Sequence, residues 1–181
     1  MNFERLEKNL CDNIYESQIK IGYDKRPMSL NYMKSSLCNL LGTELTDTEI
    51  EKTLCEFSDY SENRLGKLTF RPIKDGYCIT VSEEGTAYVH NNSDDKAFIK
   101  ELVEAVRCHS SFETIMNIFR NYSDDITVIH TENDEFEYLV YFTNGIPDEY
   151  RYCISIDTEI DGHEHITYHR FIKEDYEELG F

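Results

Sequence analysis

Residues 150–168 read Tyr150-Arg151-Tyr152-Cys153-Ile154-Ser155-Ile156-Asp157-Thr158-Glu159-Ile160-Asp161-Gly162-His163-Glu164-His165-Ile166-Thr167-Tyr168. Two alternating runs flank an Asp-Gly pair. On a strand, residues two apart share a face. Tyr152, Ile154, Ile156, Thr158 and Ile160 therefore form one apolar row, and Arg151, Cys153, Ser155, Asp157 and Glu159 the other. Asp161-Gly162 is a hairpin turn signal. A connection this short forces antiparallel pairing, because a parallel crossover needs a dozen residues or more. A two-residue turn would place His165 and His169 on the apolar face. A three-residue loop ending at His163 pairs Ile156 with Tyr168 and Thr158 with Ile166. It sets His165 beside Glu159 and His169 beside Ser155, and is preferred because it keeps one face consistently apolar.

Outward from this hairpin, alternating segments near 126–131 and 135–142 are separated by Asn133-Asp134 and Asn144-Gly145. With 150–159 and 164–172 they predict a four-stranded antiparallel sheet. A last helical turn is expected over 174–179. Upstream, two helices are expected near 95–107 and 111–121. Phe98, Leu102 and Val106 line the first, and Phe112, Ile115, Met116 and Phe119 the second, with Ser110 and Glu113 as a capping box.

The first half begins with a helix over 3–21, its stripe formed by Phe3, Leu6, Leu10, Ile14 and Ile21. A linker containing Pro27 follows. Ser29 is expected to cap a second helix with Leu30, Met33, Leu37 and Leu41 inward and Gly42 as its stop. Thr46 and Glu49 form the capping box of a third, striped by Ile50, Leu54 and Phe57. The period then changes. Leu68 and Phe70 alternate, Asp75-Gly76 turns, and Tyr77, Ile79 and Val81 alternate. Gly85 is read as another turn, with Ala87 and Val89 in a third short strand.

The expected fold is therefore α+β. Residues 1–92 form a helical lobe with a small hairpin sheet, and 93–181 two linking helices and the antiparallel sheet. The polar stretch 91–96 is too short for an independent linker, so the two lobes are expected to make one compact unit.

Aromatic residues make up 13% of the chain with no Trp, enough for a packed core and against disorder. Thirteen tyrosines suit half-buried sheet positions, ring inside and hydroxyl near water. No apolar run approaches the roughly 20 residues that span a bilayer, and residues 1–10 lack the apolar stretch of a secretory signal. A cytoplasmic protein without membrane association is expected. Cysteines at 11, 38, 55, 78, 108 and 153 make no Cys-x-x-Cys pair, and read as buried thiols in a reducing compartment. The net charge is −18, concentrated in the second half, which repels phosphate backbones and argues for solubility.

Three groups of residues carry chemistry. The stretch 136–142 has large side chains on both faces, so one face needs a second layer or a partner. Phe136, Tyr138, Tyr141, Phe142 and Tyr152 form this candidate interaction surface, for a protein partner or self-association. His165, Glu159, Asp157 and His169 form a polar cluster with metal-ligand chemistry. His169 lies about 13 Å beyond His165 at about 3.3 Å per residue, so a third ligand must come from another strand. Arg64, Lys67, Arg71 and Lys74 make the hairpin locally basic and form the candidate nucleic-acid contact.

Helix, helix, helix, then short strands is an order that resembles a winged helix-turn-helix module, and Gly76-Tyr77-Cys78-Ile79-Thr80-Val81-Ser82-Glu83-Glu84-Gly85-Thr86-Ala87-Tyr88-Val89 is similar to its wing strands. The resemblance implies that the third helix would enter the major groove. That helix carries Asp47, Glu49, Glu51 and Glu56 against Lys52, which disfavours DNA. The whole chain also resembles a bacterial family of domains of unknown function. Lys20-Ile21-Gly22-Tyr23, Ser36-Leu37 with Leu40-Leu41, Tyr150-Arg151-Tyr152-Cys153, Tyr168-His169-Arg170-Phe171 and Asp175-Tyr176 carry that resemblance. It implies a bacterial cytoplasmic protein and brings no activity or cofactor with it.

No phosphate-binding glycine loop, dinucleotide fingerprint or nucleophile elbow occurs, and no cofactor is expected. The first functional expectation is a non-catalytic binding or regulatory protein. The alternatives are a metal-dependent or histidine-assisted enzyme and a winged-helix nucleic-acid binder.

Overall fold

The structure is a computed structural model and describes residues 1–93, 96–132, 134–158 and 164–180. It is mixed α and β, with seven helices and two antiparallel sheets among those residues, in two compact units, Met1–Asp95 and Lys96–Phe181. No helix among them is long and apolar enough to cross a membrane.

In the first unit, the Asn2 side chain accepts a hydrogen bond from the Arg5 amide at 3.0 Å and starts α1 (Phe3–Ile21). This satisfies one of the free N–H groups of the first turn. Leu6, Leu10 and Ile14 are fully buried, as their spacing predicts. Ile21 is 79% exposed and leaves the stripe.

The next element departs from expectation. Residues 28–33 form a strand, β1 (Met28–Met33), and the helix begins only afterwards as α2 (Lys34–Leu41). Leu30 pairs with Ile79 and Tyr32 with Tyr77. The alternation Leu30, Tyr32 satisfies a strand as well as Leu30, Met33 satisfies a helix. The strand prevails because it covers the second edge of a buried neighbour. Gly42, at φ +70°, ends α2 in the left-handed conformation.

The capping box forms as expected at α3 (Asp47–Leu65). The Thr46 hydroxyl accepts from the Glu49 amide at 3.4 Å, and the Glu49 carboxylate accepts from the Thr46 amide at 2.8 Å. The Thr46 hydroxyl, donating to the same carboxylate at 2.6 Å, and then the Thr46 amide hold the Glu49 carboxyl below its ordinary range. Ile50, Leu54 and Phe57 are all buried.

The hairpin β2 (Thr69–Ile73) and β3 (Gly76–Val81) follows, in the sheet order β1-β3-β2. The expected third strand at 87–89 is instead helix α4 (Glu83–Asn91). Ser82 caps it by accepting from the Gly85 amide at 3.3 Å, and Glu83 and Glu84 favour its positive N-terminal end. Gly85 is thus not a turn residue. A Cβ there would stand 2.2 Å from the Leu65 carbonyl oxygen and 2.5 Å from Val81 Cγ1.

The second unit opens with α5 (Ala97–Arg107) and α6 (Phe112–Tyr122). The cap of α6 is Ser111, which accepts from the Thr114 amide at 3.3 Å, and not the expected Ser110 with Glu113. His109, at φ 53°, turns the chain one residue later than the sequence suggests. The sheet runs in the order β4 (Ile126–His130), β5 (Tyr138–Phe142), β6 (Arg151–Thr158), β7 (Glu164–Phe171), and α7 (Lys173–Leu179) ends the chain.

Parity in this sheet is as read: Val140, Phe142, Tyr152, Ile154, Ile166 and Tyr168 share one face. The offset is not. Ile156 pairs with Ile166 and Ile154 with Tyr168, so β7 is shifted by two residues from the preferred register. Such a shift preserves the apolar face, which is why the pattern could not exclude it. The turn at Asp161-Gly162 lies outside the described residues.

Phe98 of α5 anchors the buried face. Its ring centroid lies 5.0 Å from Phe119, 5.0 Å from Phe142 and 5.8 Å from Tyr152, all edge-on. Such contacts add to the burial of large apolar area.

Candidate functional site

The aromatic residues proposed as a surface are divided between two packed faces. Phe142 and Tyr152 are buried beneath Phe98 and Phe119. Phe136 is buried on the opposite face with Leu139 and Cys153, where Tyr141, Phe171 and Tyr176 pack. Tyr138 stacks on Phe112 at 4.3 Å, and the Arg151 guanidinium lies 3.9 Å over the Tyr141 ring. The stretch 136–142 therefore does not present a continuous apolar surface. Both faces are covered by helices of the same unit, which the strand pattern alone does not show.

The shift of β7 redistributes the expected metal residues. His165 stands opposite Asp157, and His169 opposite Cys153 instead of Ser155. Glu159 lies outside the described residues. Sequence reasoning missed His109, whose Nδ1 lies 3.4 Å from His165 Nδ1. It comes from the loop between α5 and α6, and only the tertiary fold brings it there. Among the described residues no three His, Cys, Asp or Glu side chains converge to hold a metal ion.

The basic residues do not form one patch either. Arg64 reaches Glu7 through Nε and, at 2.7 Å, through Nη2, and its guanidinium lies 5.2 Å from the Tyr60 ring centroid. The Glu7 carboxylate raises its pKa further above the ordinary range. It is thus engaged inside the unit. Lys67, Arg71 and Lys74 are exposed along β2 and its ends. Glu51, Glu56, Asp59 and Glu62 are exposed on α3, where a DNA-reading helix would need cations.

A concave feature of the first unit lies elsewhere, where α1 hands over to β1. Gly22, at φ +84°, ends α1 and lets the chain reverse. A tight turn follows, with the Arg26 amide donating to the Asp24 carbonyl at 2.8 Å and the Arg26 side chain paired with the Asp24 carboxylate. Two contacts to α4 fix this linker. Tyr23 stacks on His90 with centroids 3.8 Å apart and planes 5° from parallel. The Thr86 hydroxyl donates to the Arg26 carbonyl at 2.9 Å.

The result is a half-open cleft of about 610 Å³ whose lining includes Gln18, Ile21, Tyr23, Arg26, Met28 and Ser29. Gln18 is its buried polar group, 3% exposed. Its Nε2 donates to the Thr86 carbonyl at 2.9 Å, whereas its Oε1 accepts from nothing among the described residues. A buried amide oxygen without a donor costs about 1–3 kcal/mol. Ile21, Tyr23 and Met28 supply apolar wall, and Asp24, Arg26 and Ser29 polar groups. Sequence reasoning missed this cleft because two of the residues that fix it, Thr86 and His90, sit on α4, where the sequence pattern predicts a strand and a turn.

Fold and cleft together define an α+β protein of two compact units, the first a helical unit around a three-stranded sheet with a polar-floored cleft. The chain belongs to a family described as a domain of unknown function, E. rectale gene description (DUF3877), matched over residues 3–180. No curated protein matches the chain, and no solved structure matches it.

Proposed function

We propose that the protein is a non-catalytic cytoplasmic binding protein that receives a small molecule in the cleft between α1 and β1. The observation that carries this reading is the buried, donor-less Oε1 of Gln18, a residue whose side chain belongs to the lining of that cleft. A pocket with apolar walls and a few fixed polar groups is the usual form of a small-molecule site. The ligand brings an N–H or O–H to the Gln18 oxygen and lays an apolar face along Tyr23, whose ring His90 already holds flat. The six cysteines are free thiols, which suits the reducing compartment assigned here.

The test is ligand-observed NMR with acetamide, guanidinium, imidazole and glycerol as separate probes against the full chain. Donor-bearing probes are expected to receive saturation from the protein. Gln18→Met keeps the side-chain length, removes the acceptor together with the amide nitrogen that donates to Thr86, and is expected to abolish that transfer. No transfer from any probe at millimolar concentration, or transfer that Gln18→Met leaves intact, overturns the reading.

A further inference from the structure

The C-terminal sheet ends in a strand whose outer edge is open. Among the described residues β4 pairs only with β5. The Thr143 amide donates to the Asp125 carbonyl at 2.8 Å and the Thr131 amide to the Glu137 carbonyl at 2.8 Å, at the two ends of this ladder. Hydrogen bonding in an antiparallel pair alternates with period two. Residues 125, 127, 129 and 131 therefore turn their backbone groups to β5. Ile126, Val128 and His130 turn their N–H and C=O groups away from the sheet. Val128 is 41% and Ile129 44% exposed, so this edge is accessible and apolar.

Natural sheets guard such edges with proline, lysine or other charges. The β2 edge of the first unit has that protection, with Pro72 and Arg71 in the strand and Lys74 beside it. β4 reads Ile126-Thr127-Val128-Ile129-His130 and has neither a proline nor a carboxylate or lysine within it. Its charges are displaced to both ends. Asp124 and Asp125 precede it, Glu132 and Asp134 follow it, and all four are exposed.

This arrangement also selects the occupant. A second copy pairing antiparallel about Val128 would set Asp124 against Glu132 of its mate, and opposed like charges destabilise a strand pair. We infer that β4 is a docking edge for an extended segment of another protein, with an alternating apolar core and Lys or Arg at both ends. The segment adds a fifth strand to the sheet. Its backbone bonds to Ile126, Val128 and His130, and its flanking cations meet Asp124 and Asp125 at one end and Glu132 and Asp134 at the other.

The experiment titrates the isotope-labelled full chain with the synthetic peptide acetyl-Lys-Lys-Val-Thr-Val-Thr-Val-Lys-Lys-amide and follows backbone amides by NMR. The amides of Ile126, Val128 and His130 are expected to shift and to become protected from hydrogen exchange. The same peptide with Glu for Lys should bind about tenfold more weakly or worse. A peptide with Pro for all three Val, the residues that stand opposite Ile126, Val128 and His130, keeps the charge but cannot pair, and should not bind. Val128→Pro removes only an outward N–H, so the sheet should persist in the spectrum while binding is lost; Val128→Lys, which guards the edge without touching the backbone, should also abolish it. Absent binding, equal binding of the proline peptide, shifts away from β4, unchanged binding by both variants, or dimerisation through β4 without peptide would each overturn the proposal.

Discussion

Gly85 lies directly against the carbonyl of Leu65, so that the first turn of α4 touches the last turn of α3 with no side chain between them. In an exposed helix interior, Gly→Ala normally stabilises by about 0.5–1 kcal/mol. Here the added methyl would overlap backbone, which cannot rotate away. Gly85→Ala is expected to destabilise the first unit by about 1–3 kcal/mol, the cost of overpacking. Urea unfolding followed by circular dichroism checks the sign, which is opposite to that of helix propensity.

Arg64 and Glu7 tie α3 to α1 through two hydrogen bonds. The Glu7 side chain is 12% exposed and that of Arg64 39%, so solvent screens the pair only in part. Arg64→Gln and Glu7→Gln are each expected to cost about 1–2 kcal/mol. A double-mutant cycle should return a coupling of about 1 kcal/mol. Additive losses would show that the two side chains act independently.

Phe98 is the ring on which the sheet of the second unit rests. Phe98→Ala removes edge contacts to Phe119, Phe142 and Tyr152 at once and is expected to cost about 3–5 kcal/mol. The chain has no Trp, so tyrosine fluorescence and near-ultraviolet dichroism are the reporters. Tyr152 should lose its dichroic signal first.

Burial pushes the Cys153 thiol up to about 12. A group protonated more strongly in the folded state adds nothing while both states are protonated. Once pH passes the unfolded value, near 9, the unfolded chain ionises first and stability falls until the folded value is reached. Burial, then the hydrogen bond to Glu101, likewise pushes Tyr122 up to about 12, and its loss begins about one unit higher. Unfolding measured between pH 9 and 10 should therefore show a declining stability that Cys153→Ala flattens. A slope identical in the variant would rule out this thiol as its source.

Much of this architecture is legible in the chain, and the misreadings share one cause. Capping residues located α3 and the Gly42 stop because they act within a single turn. Parity located the faces of the C-terminal sheet because alternation is also local. Residues 28–33 and 83–91 carry patterns that fit two periods; Leu30, for one, is three residues from Met33 and two from Tyr32. Only the need of β3 for a second neighbour decides, and that need is non-local. The offset of β7 escaped for the same reason: a shift of two keeps parity. The cleft was not legible at all. Gln18 is an ordinary polar residue of α1 until Thr86 takes its amide nitrogen and leaves its oxygen alone.

One side of the C-terminal sheet has a thin roof. Phe136, Leu139 and Cys153 are sealed with help from Tyr176 of α7, a helix of seven residues. A helix that short cannot hold its shape in water unaided. It behaves as a latch, and its momentary release would bare an oily strip without unravelling a single strand. A protease able to clip that latch would leave a sticky surface on a sheet that was still intact.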